Sequence, residues 1–156
     1  MDNIKIGSAR SASLPDAGEV SEQDFYVHKL GWIVLHPKKK THRHSLCKVM
    51  RNACSNDNLR YSQPKRAEIY RRGTNSKVVT YCDCSSLATQ CIREAMTNNF
   101  SNQTTATLPY ACAMSGLFTV YDYVDGETEL WNGDILCTKV KGHVVIVTHG
   151  GKRNVI

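Results

Sequence analysis

Two segments carry residue types that could together form a nucleophilic thiol site. Cys84 stands directly before a helical pattern, and His143 stands between the two-residue turn Lys141-Gly142 and the apolar run 144–147. A thiol in the first turn of a helix meets the positive end of the helix dipole, which favours the thiolate. An imidazole within reach can take up the thiol proton. The pair predicts a thiol hydrolase with Cys84 as nucleophile and His143 as base.

Each half of this pair also has a structural interpretation. Cys84 continues the apolar spacing of Leu87 and Ala88, and His143 could be an exposed turn residue. The sequence Asp83-Cys84-Ser85-Ser86 favours a functional role, because a purely structural cysteine rarely stands between a helix cap and two serines. We interpret Cys82 as a bystander. The remaining cysteines are expected in the core: Cys47, Cys54, Cys91, Cys112 and Cys137.

Metal binding is the next alternative. The pairs His42-x-His44 and Cys82-x-Cys84 do not have the spacing of zinc ligands, which is usually two to four residues between cysteines and three to five between histidines. We therefore predict no metal and no cofactor.

The basic residues suggest a solvated face or, alternatively, a site for a polyanion. They form the run Lys38-Lys39-Lys40 with Arg43, and a group of Arg66, Arg71 and Arg72, in a chain of net charge +6. No glycine-rich phosphate loop or zinc-finger pattern is present, so we predict no specific nucleic acid partner.

Length and composition predict one globular domain. The chain has 156 residues, of which 41% are hydrophobic. Its seven cysteines show no disulfide framework, no signal peptide is evident, and no apolar run reaches the roughly 18 residues of a membrane helix. We expect a monomer that is made in a reducing cytoplasm with free thiols and does not enter a membrane.

The order of the predicted elements indicates an α+β fold with helices followed by an antiparallel sheet. Residues 1–24, with Pro15 and Gly18, are interpreted as an extended, partly loose arm, and Trp32–Leu35 as a strand. Apolar spacing predicts helices over 46–54, 63–72 and 84–96, with Asp83 capping the last. Strands are predicted over 117–124, 135–140 and 143–148, the last buried on both faces.

Several motifs together resemble the NlpC-like family of papain-fold cysteine peptidases, which cleave peptidoglycan stem peptides. They are Asp83-Cys84-Ser85-Ser86-Leu87, Gly133-Asp134-Ile135-Leu136 and the run 142–147 that begins with Gly142-His143. The start of the chain resembles endolysins of phages and prophages of Gram-positive bacteria such as clostridia. The similar residues there are Ile6-Gly7-Ser8-Ala9-Arg10, Glu19-Val20-Ser21, Gln23, Phe25-Tyr26, His28 and Gly31-Trp32.

The resemblance implies a papain-like fold, with helices on a central antiparallel sheet and the nucleophile at a helix N-terminus. It implies Cys84 as nucleophile and His143 as base, with Tyr61, Asp83 and Ser85 contributing to the oxyanion or substrate site. The implied reaction is hydrolysis of the D-glutamyl–diamino acid bond of peptidoglycan. An N-acetylmuramoyl-L-alanine amidase of the CHAP type, or a non-catalytic basic module for anionic wall polymer or nucleic acid, is the alternative.

The chain departs from the family pattern in two places. Ser86 stands where the family usually has glycine, and the polar residue that orients the histidine usually lies about a dozen residues beyond it. Asn154 is the candidate for that role, with His149 as a weaker one. Since the chain stops at Ile156, we expect residues 1–156 to be the single catalytic domain of a longer lysin, with a wall-binding domain missing. Such a lysin would be made in the host cytoplasm without a signal peptide and act on the wall.

Overall fold

Ten short strands and four helices form the part of the chain described by the computed structural model, residues 3–11 and 19–155. Six strands pair antiparallel in the order β2-β1-β9-β8-β3-β6. Their bounds are β1 Lys5–Ala9, β2 Val20–Asp24, β3 Trp32–Pro37, β6 Phe118–Asp122, β8 Ile135–Thr138 and β9 Val144–His149. Two small pairs flank this sheet: parallel β4 (Leu59–Tyr61) with β5 (Thr80–Cys82), and antiparallel β7 (Glu129–Leu130) with β10 (Gly151–Lys152).

The helices are α1 (Lys40–Cys54), α2 (Glu68–Arg72), α3 (Cys84–Ala95) and α4 (Leu108–Ser115). The predicted stripe of α1 is confirmed, since Leu46, Met50 and Ala53 are buried. Helix α2 is shorter than predicted, and it ends as expected at Gly73, whose φ of 79° suits glycine. Helix α4 has a proline in its first turn, where the missing N–H costs no hydrogen bond.

The sheet is buried on both faces, and its two faces belong to different cores. One core contains the inward stripes of the helices together with Val144 and Ile146, and the other contains Trp32, Val145 and Val147. Strand β9 is therefore buried on both sides, as its sequence predicted. On a strand His143 shares a face with Val145 and Val147, and the sequence predicts that this face packs on α3. That prediction is wrong, because Val144 and Ile146, the alternate residues of the strand, share a core with the helix.

The N-terminal segment is part of the sheet. Its described residues, 3–11 and 19–24, are extended as expected, but they form β1 and β2, and β1 pairs with β9. Pro15 and Gly18 lie outside the described residues. Because β1, β2 and β3 precede α1, the predicted order of helices before strands is wrong, although the α+β class and the large antiparallel sheet are confirmed. The connection between β8 and β9 spans residues 139–143, so it is longer than the predicted two-residue turn.

Gly133 gives the fold a testable steric constraint. Its φ is +92°, and a Cβ there would lie 2.2 Å from the backbone oxygen of Arg43. We expect Gly133→Ala to lower the free energy of unfolding by about 3 kcal/mol, because backbone strain and overlap add. Chemical denaturation would measure this loss.

Gly116→Ala is the matched control. Gly116 also has a positive φ, +75°, but nothing lies within 4 Å of its Cβ position. Its substitution should cost only the left-handed strain, about 1 kcal/mol. Equal losses in the two variants would contradict the steric role of Gly133.

Candidate active site

Asp83 determines where helix α3 begins. Its Oδ1 accepts a hydrogen bond of 2.8 Å from the backbone N–H of Ser86, and the Ser86 hydroxyl accepts one of 2.9 Å from the backbone N–H of Asp83. This reciprocal pair is a capping box, and it confirms the predicted cap. Cys84 is consequently the first residue of the helix. The serine at the position where the family usually has glycine completes the cap.

Arg66 holds the other side of the Asp83 carboxylate. Its Nε donates to Asp83 Oδ2 at 2.7 Å, and one Nη donates to the Ser85 hydroxyl at 2.9 Å and to the Gln103 carbonyl at 2.7 Å. Burial lowers the pKa of Arg66, but the hydrogen bond and charge of Asp83 outweigh burial, so the pKa is raised. Arg66 does not belong to a purely solvated basic face. No sequence pattern identified its partner, which is 17 residues away.

The thiol of Cys84 is partly buried against the beginning of β9. Hydrogen bonding by backbone N–H groups of Val144, Ser85 and Cys84 itself favours its thiolate. Burial has the larger effect and raises the pKa of Cys84 to about 11, with the Asp83 charge adding to the rise. The expectation of a lowered thiol pKa is therefore wrong for the free protein, because desolvation outweighs the helix terminus.

His143 lies next to this contact in the chain, directly before Val144. Its ring centroid is 6.4 Å from that of Trp32, and its backbone N–H donates to the Thr138 hydroxyl at 3.1 Å. Burial, followed by the positive charges of His28 and Arg10, lowers the pKa of His143 to about 4. The imidazole is therefore neutral at physiological pH, the form that can accept a proton.

Tyr61 and Tyr26 also lie around the thiol. Burial raises the pKa of each phenol, and the negative charge of an ionised Cys84 would raise it further. Tyr61 ends β4 and packs against the helix-side core, so the structure brings this predicted residue close to Cys84.

Three further residues near the site were not assigned a role from the sequence. Arg10 is held by Ser21, to whose carbonyl and hydroxyl it donates at 3.3 and 2.7 Å. Tyr26 and His28 pack on the Trp32 ring with centroid distances of 5.8 and 5.2 Å. All three lie in the segments that resemble endolysins, and that resemblance was the signal from which their role near the site could have been predicted.

The remaining predicted site residues are Ser85, Asn154 and His149. The Ser85 hydroxyl is buried and donates to Asp83 while accepting from Arg66, so it points into the protein. Asn154 is exposed and lies in the segment after β10. Its role in orienting His143 stays a prediction, as does that of His149, which is exposed at the other end of β9 from His143.

Comparison with known families gives one match. The model of a family described as an endolysin-like domain matches residues 15–154. The chain belongs to the endolysin-like domain family. No curated protein and no solved structure matched the chain. Family membership supports the role of an endolysin that hydrolyses peptidoglycan at the cell wall.

The endolysin-like domain has seven free cysteines. Cys82 is fully buried, and burial raises its pKa to about 12, which makes it a poor nucleophile.

Over residues 3–11 and 19–155, no three His, Cys, Asp or Glu side chains are grouped as metal ligands. Within the same ranges, no helix has the length and apolar character to cross a bilayer.

A second polar pair, between His36 and Asp134, lies outside this site. His36 Nδ1 is 2.6 Å from Oδ1 of the fully buried Asp134, whose Oδ2 accepts a 2.8 Å hydrogen bond from the Trp131 backbone. Burial raises the pKa of Asp134, although the hydrogen bonds from Trp131 and His36 and the charge of Arg43 oppose the rise. In this endolysin-like domain the Gly-Asp motif therefore fixes the turn before β8.

The contact between Arg66 and Asp83 can be tested by removing the cation. Arg66→Ala leaves the Asp83 side chain, which is only 9% exposed, without its ionic partner. We expect a loss of about 2 kcal/mol in unfolding free energy and lower activity of the folded protein. Arg66→Lys should restore only part of both, because lysine lacks the planar fork that reaches three acceptors.

Arg72→Ala serves as the control on the same surface. Arg72 makes an exposed contact of 3.4 Å with Glu68. Its loss should cost under about 1 kcal/mol and leave activity unchanged. A comparable effect of the two alanine variants would contradict a positioning role for Arg66.

The shifted pKa values predict an unusual pH profile. Below a pH of about 4 His143 is protonated and cannot take up the thiol proton, whereas above it the neutral base is present. The acid limb of kcat/KM should therefore lie near pH 4, well below the ordinary histidine value of 6.5. Alkylation of Cys84 by iodoacetamide, measured by mass spectrometry, should accelerate toward pH 11. An acid limb near 6.5 with fast alkylation at neutral pH would instead indicate a preformed thiolate–imidazolium pair.

Proposed function

We propose that this domain is a cysteine peptidase that cleaves an amide bond of the peptidoglycan stem peptide, with Cys84 as nucleophile and His143 as base. One observation carries the proposal: the thiol at the start of α3 lies near the backbone N–H of Val144, the residue after His143, and this N–H favours the thiolate. Membership in the endolysin-like family supports the substrate class.

The proposed reaction starts from a neutral thiol and a neutral imidazole. His143 takes the proton of Cys84 as the sulfur attacks the amide carbonyl, so charge develops only during the reaction. This order suits the buried site, because both the thiolate and the imidazolium are disfavoured in the resting protein. The imidazolium then protonates the leaving amine, and water hydrolyses the thioester with His143 again acting as base.

The oxyanion would be held by backbone donors at the helix start. The N–H of Cys84 belongs to the first turn of α3, where no intrahelical acceptor is available. We assign to Tyr61 the contact with the oxyanion or the substrate amine, because its phenol is near enough for the charge of an ionised Cys84 to raise its pKa. Asp83 and Ser85 contribute mainly by fixing this turn, since hydrogen bonds from Arg66, Ser85 and Ser86 already occupy the Asp83 carboxylate.

The proposed bond is the one between D-glutamate and the diamino acid. The charge of Arg10 lowers the pKa of His143, which supports a cation near the proposed reaction centre. Such a cation fits a substrate that carries a free carboxylate next to the scissile amide, as this D-glutamyl bond does. The N-acetylmuramoyl-L-alanine amidase alternative uses the same nucleophile and base and differs in the products.

The proposal is tested with purified Gram-positive cell walls. Cys84→Ala and His143→Ala should each reduce clearing by at least about a thousandfold, because they remove the nucleophile and the base. Both variants should unfold like the wild type. The masses of the released muropeptides then identify the bond, since cleavage after D-glutamate and cleavage after muramic acid leave different fragments.

Cys82→Ala is the matched control, two residues from the nucleophile. It should retain activity per folded molecule, because its thiol is buried away from substrate. If Cys84→Ala clears walls as well as the wild type, or if neither protein clears them, the domain is not a thiol hydrolase and the non-catalytic basic module gains support.

A further inference from the structure

A groove runs along the exposed side of helix α1, far from Cys84. Two adjoining cavities of about 480 and 390 Å³ share His44 and Asn132 in their linings. They lie beside Gly150, which follows the last residue of β9. His143 precedes the other end of this strand, so the groove and the thiol site are separated by roughly 20 Å of extended chain.

The groove is lined by a row of basic side chains on one helix. The row consists of Lys40, Arg43, His44, Lys48 and Arg51. Positions 40, 44 and 48 follow each other at about 6 Å along the helix axis, and the full row covers roughly 16 Å. This spacing presents a line of charge suited to an extended polymer.

The row makes no ion pair with a described carboxylate, although the buried Asp134 is near enough to Arg43 for the two charges to interact. Among the described residues, no carboxylate lies within ion-pair distance of Lys40, Arg43, Lys48 or Arg51, and Glu129 is the acidic side chain in the lining. Arg51 donates instead to the Thr148 carbonyl, and Arg43 to two backbone carbonyls. A potential of one sign within a groove attracts polyanions.

Trp131 adds a flat apolar surface to the same groove. Its side chain is 48% exposed, unlike that of Trp32, which is 1% exposed. Its position is fixed by the backbone hydrogen bond to Asp134, by the edge-on His36 ring at 5.7 Å, and by the Arg43 guanidinium at 5.1 Å from its centroid. An exposed aromatic ring held in place next to cations can pack against a sugar ring while the cations contact phosphates.

We infer that the α1 groove binds a phosphate-linked, sugar-bearing anionic polymer of the cell wall and holds the enzyme at its insoluble substrate. The inference rests on the proposed function for the location of the polymer, but it uses none of the same residues. A polymer bound there would leave the Cys84 site free for a neighbouring stem peptide.

The binding test uses the Cys84→Ala protein and fluorescence of Trp131, the more exposed of the two tryptophans. The probe is a purified glycerol-phosphate polymer carrying sugar substituents. We expect a saturable fluorescence change whose affinity falls with added salt. The double variant Lys40→Glu/Lys48→Glu should weaken binding at least tenfold and reduce the salt dependence, by analogy with phosphate contacts in nucleic acid complexes.

The control double variant is Arg71→Glu/Lys77→Glu, which changes the net charge by the same amount on exposed residues outside the groove. It should bind the polymer within about twofold of the parent. Equal weakening by both double variants would reduce the effect to net charge and overturn the site. Equal or tighter binding of single-stranded DNA of matched charge would overturn the assignment to a sugar-bearing wall polymer.

Activity separates this inference from the proposed function. In the protein with Cys84 intact, Lys40→Glu/Lys48→Glu should slow clearing of intact walls several-fold and leave hydrolysis of a soluble muropeptide unchanged. Polymer binding without any hydrolysis would contradict the proposed function but not the inference about the groove. Hydrolysis without polymer binding would contradict the inference about the groove but not the proposed function.

Discussion

The buried carboxylate of Asp83 is the interaction on which the site depends. It caps α3 through Ser86, accepts from the hydroxyl of Ser85, and pairs with Arg66. Because Arg66 also donates to the Gln103 carbonyl, one carboxylate connects the segment before α2, the start of α3 and the loop before α4. A charge buried to this degree is stable only with all these partners present. The location of the Cys84 thiol follows from the point at which this network makes the helix begin.

The acid–base state of the site is decided by a competition between burial and the helix terminus. Interaction with a helix N-terminus is worth at most about 2 kcal/mol, or roughly 1.5 pKa units. Burial of Cys84 outweighs that contribution and the backbone donors, and the thiol pKa rises from 9.0 to about 11. The same burial keeps His143 neutral. The proposed site therefore starts from two uncharged groups, and the proposed mechanism has proton transfer during attack in place of a preformed ion pair.

Local signals in the sequence predicted α1, α3 and β9, whereas α2 is shorter than predicted. The apolar stripe of α1, the cap at Asp83 and the doubly buried β9 all depend on residues within a few positions of one another. Contacts between distant parts of the chain were missed. Arg66 could not be matched to Asp83, nor His36 to Asp134 across 98 positions, because neither pair leaves a periodic trace. The face of β9 was misassigned for a related reason, since both of its faces are apolar and periodicity alone cannot tell which one meets α3.

The N-terminal Ile-Gly-Ser-Ala-Arg motif was interpreted from the sequence as part of a loose arm. In the structure it contacts the strand that follows His143. Strand β1 pairs with β9, and the Ser8 hydroxyl donates to the Val144 carbonyl at 2.8 Å. The backbone N–H of Val144 favours the thiolate of Cys84. A Cβ at Gly7 would lie 2.6 Å from the Met50 side chain, so a larger residue there would force the packing between β1 and α1 to shift.

Arg10 follows β1 and places its charge near His143. The motif thus holds Val144 from one side while α3 meets it from the other. Since the family match begins at residue 15, β1 lies outside the matched region. It nevertheless pairs with β9 and hydrogen-bonds to Val144, the residue directly after the proposed base.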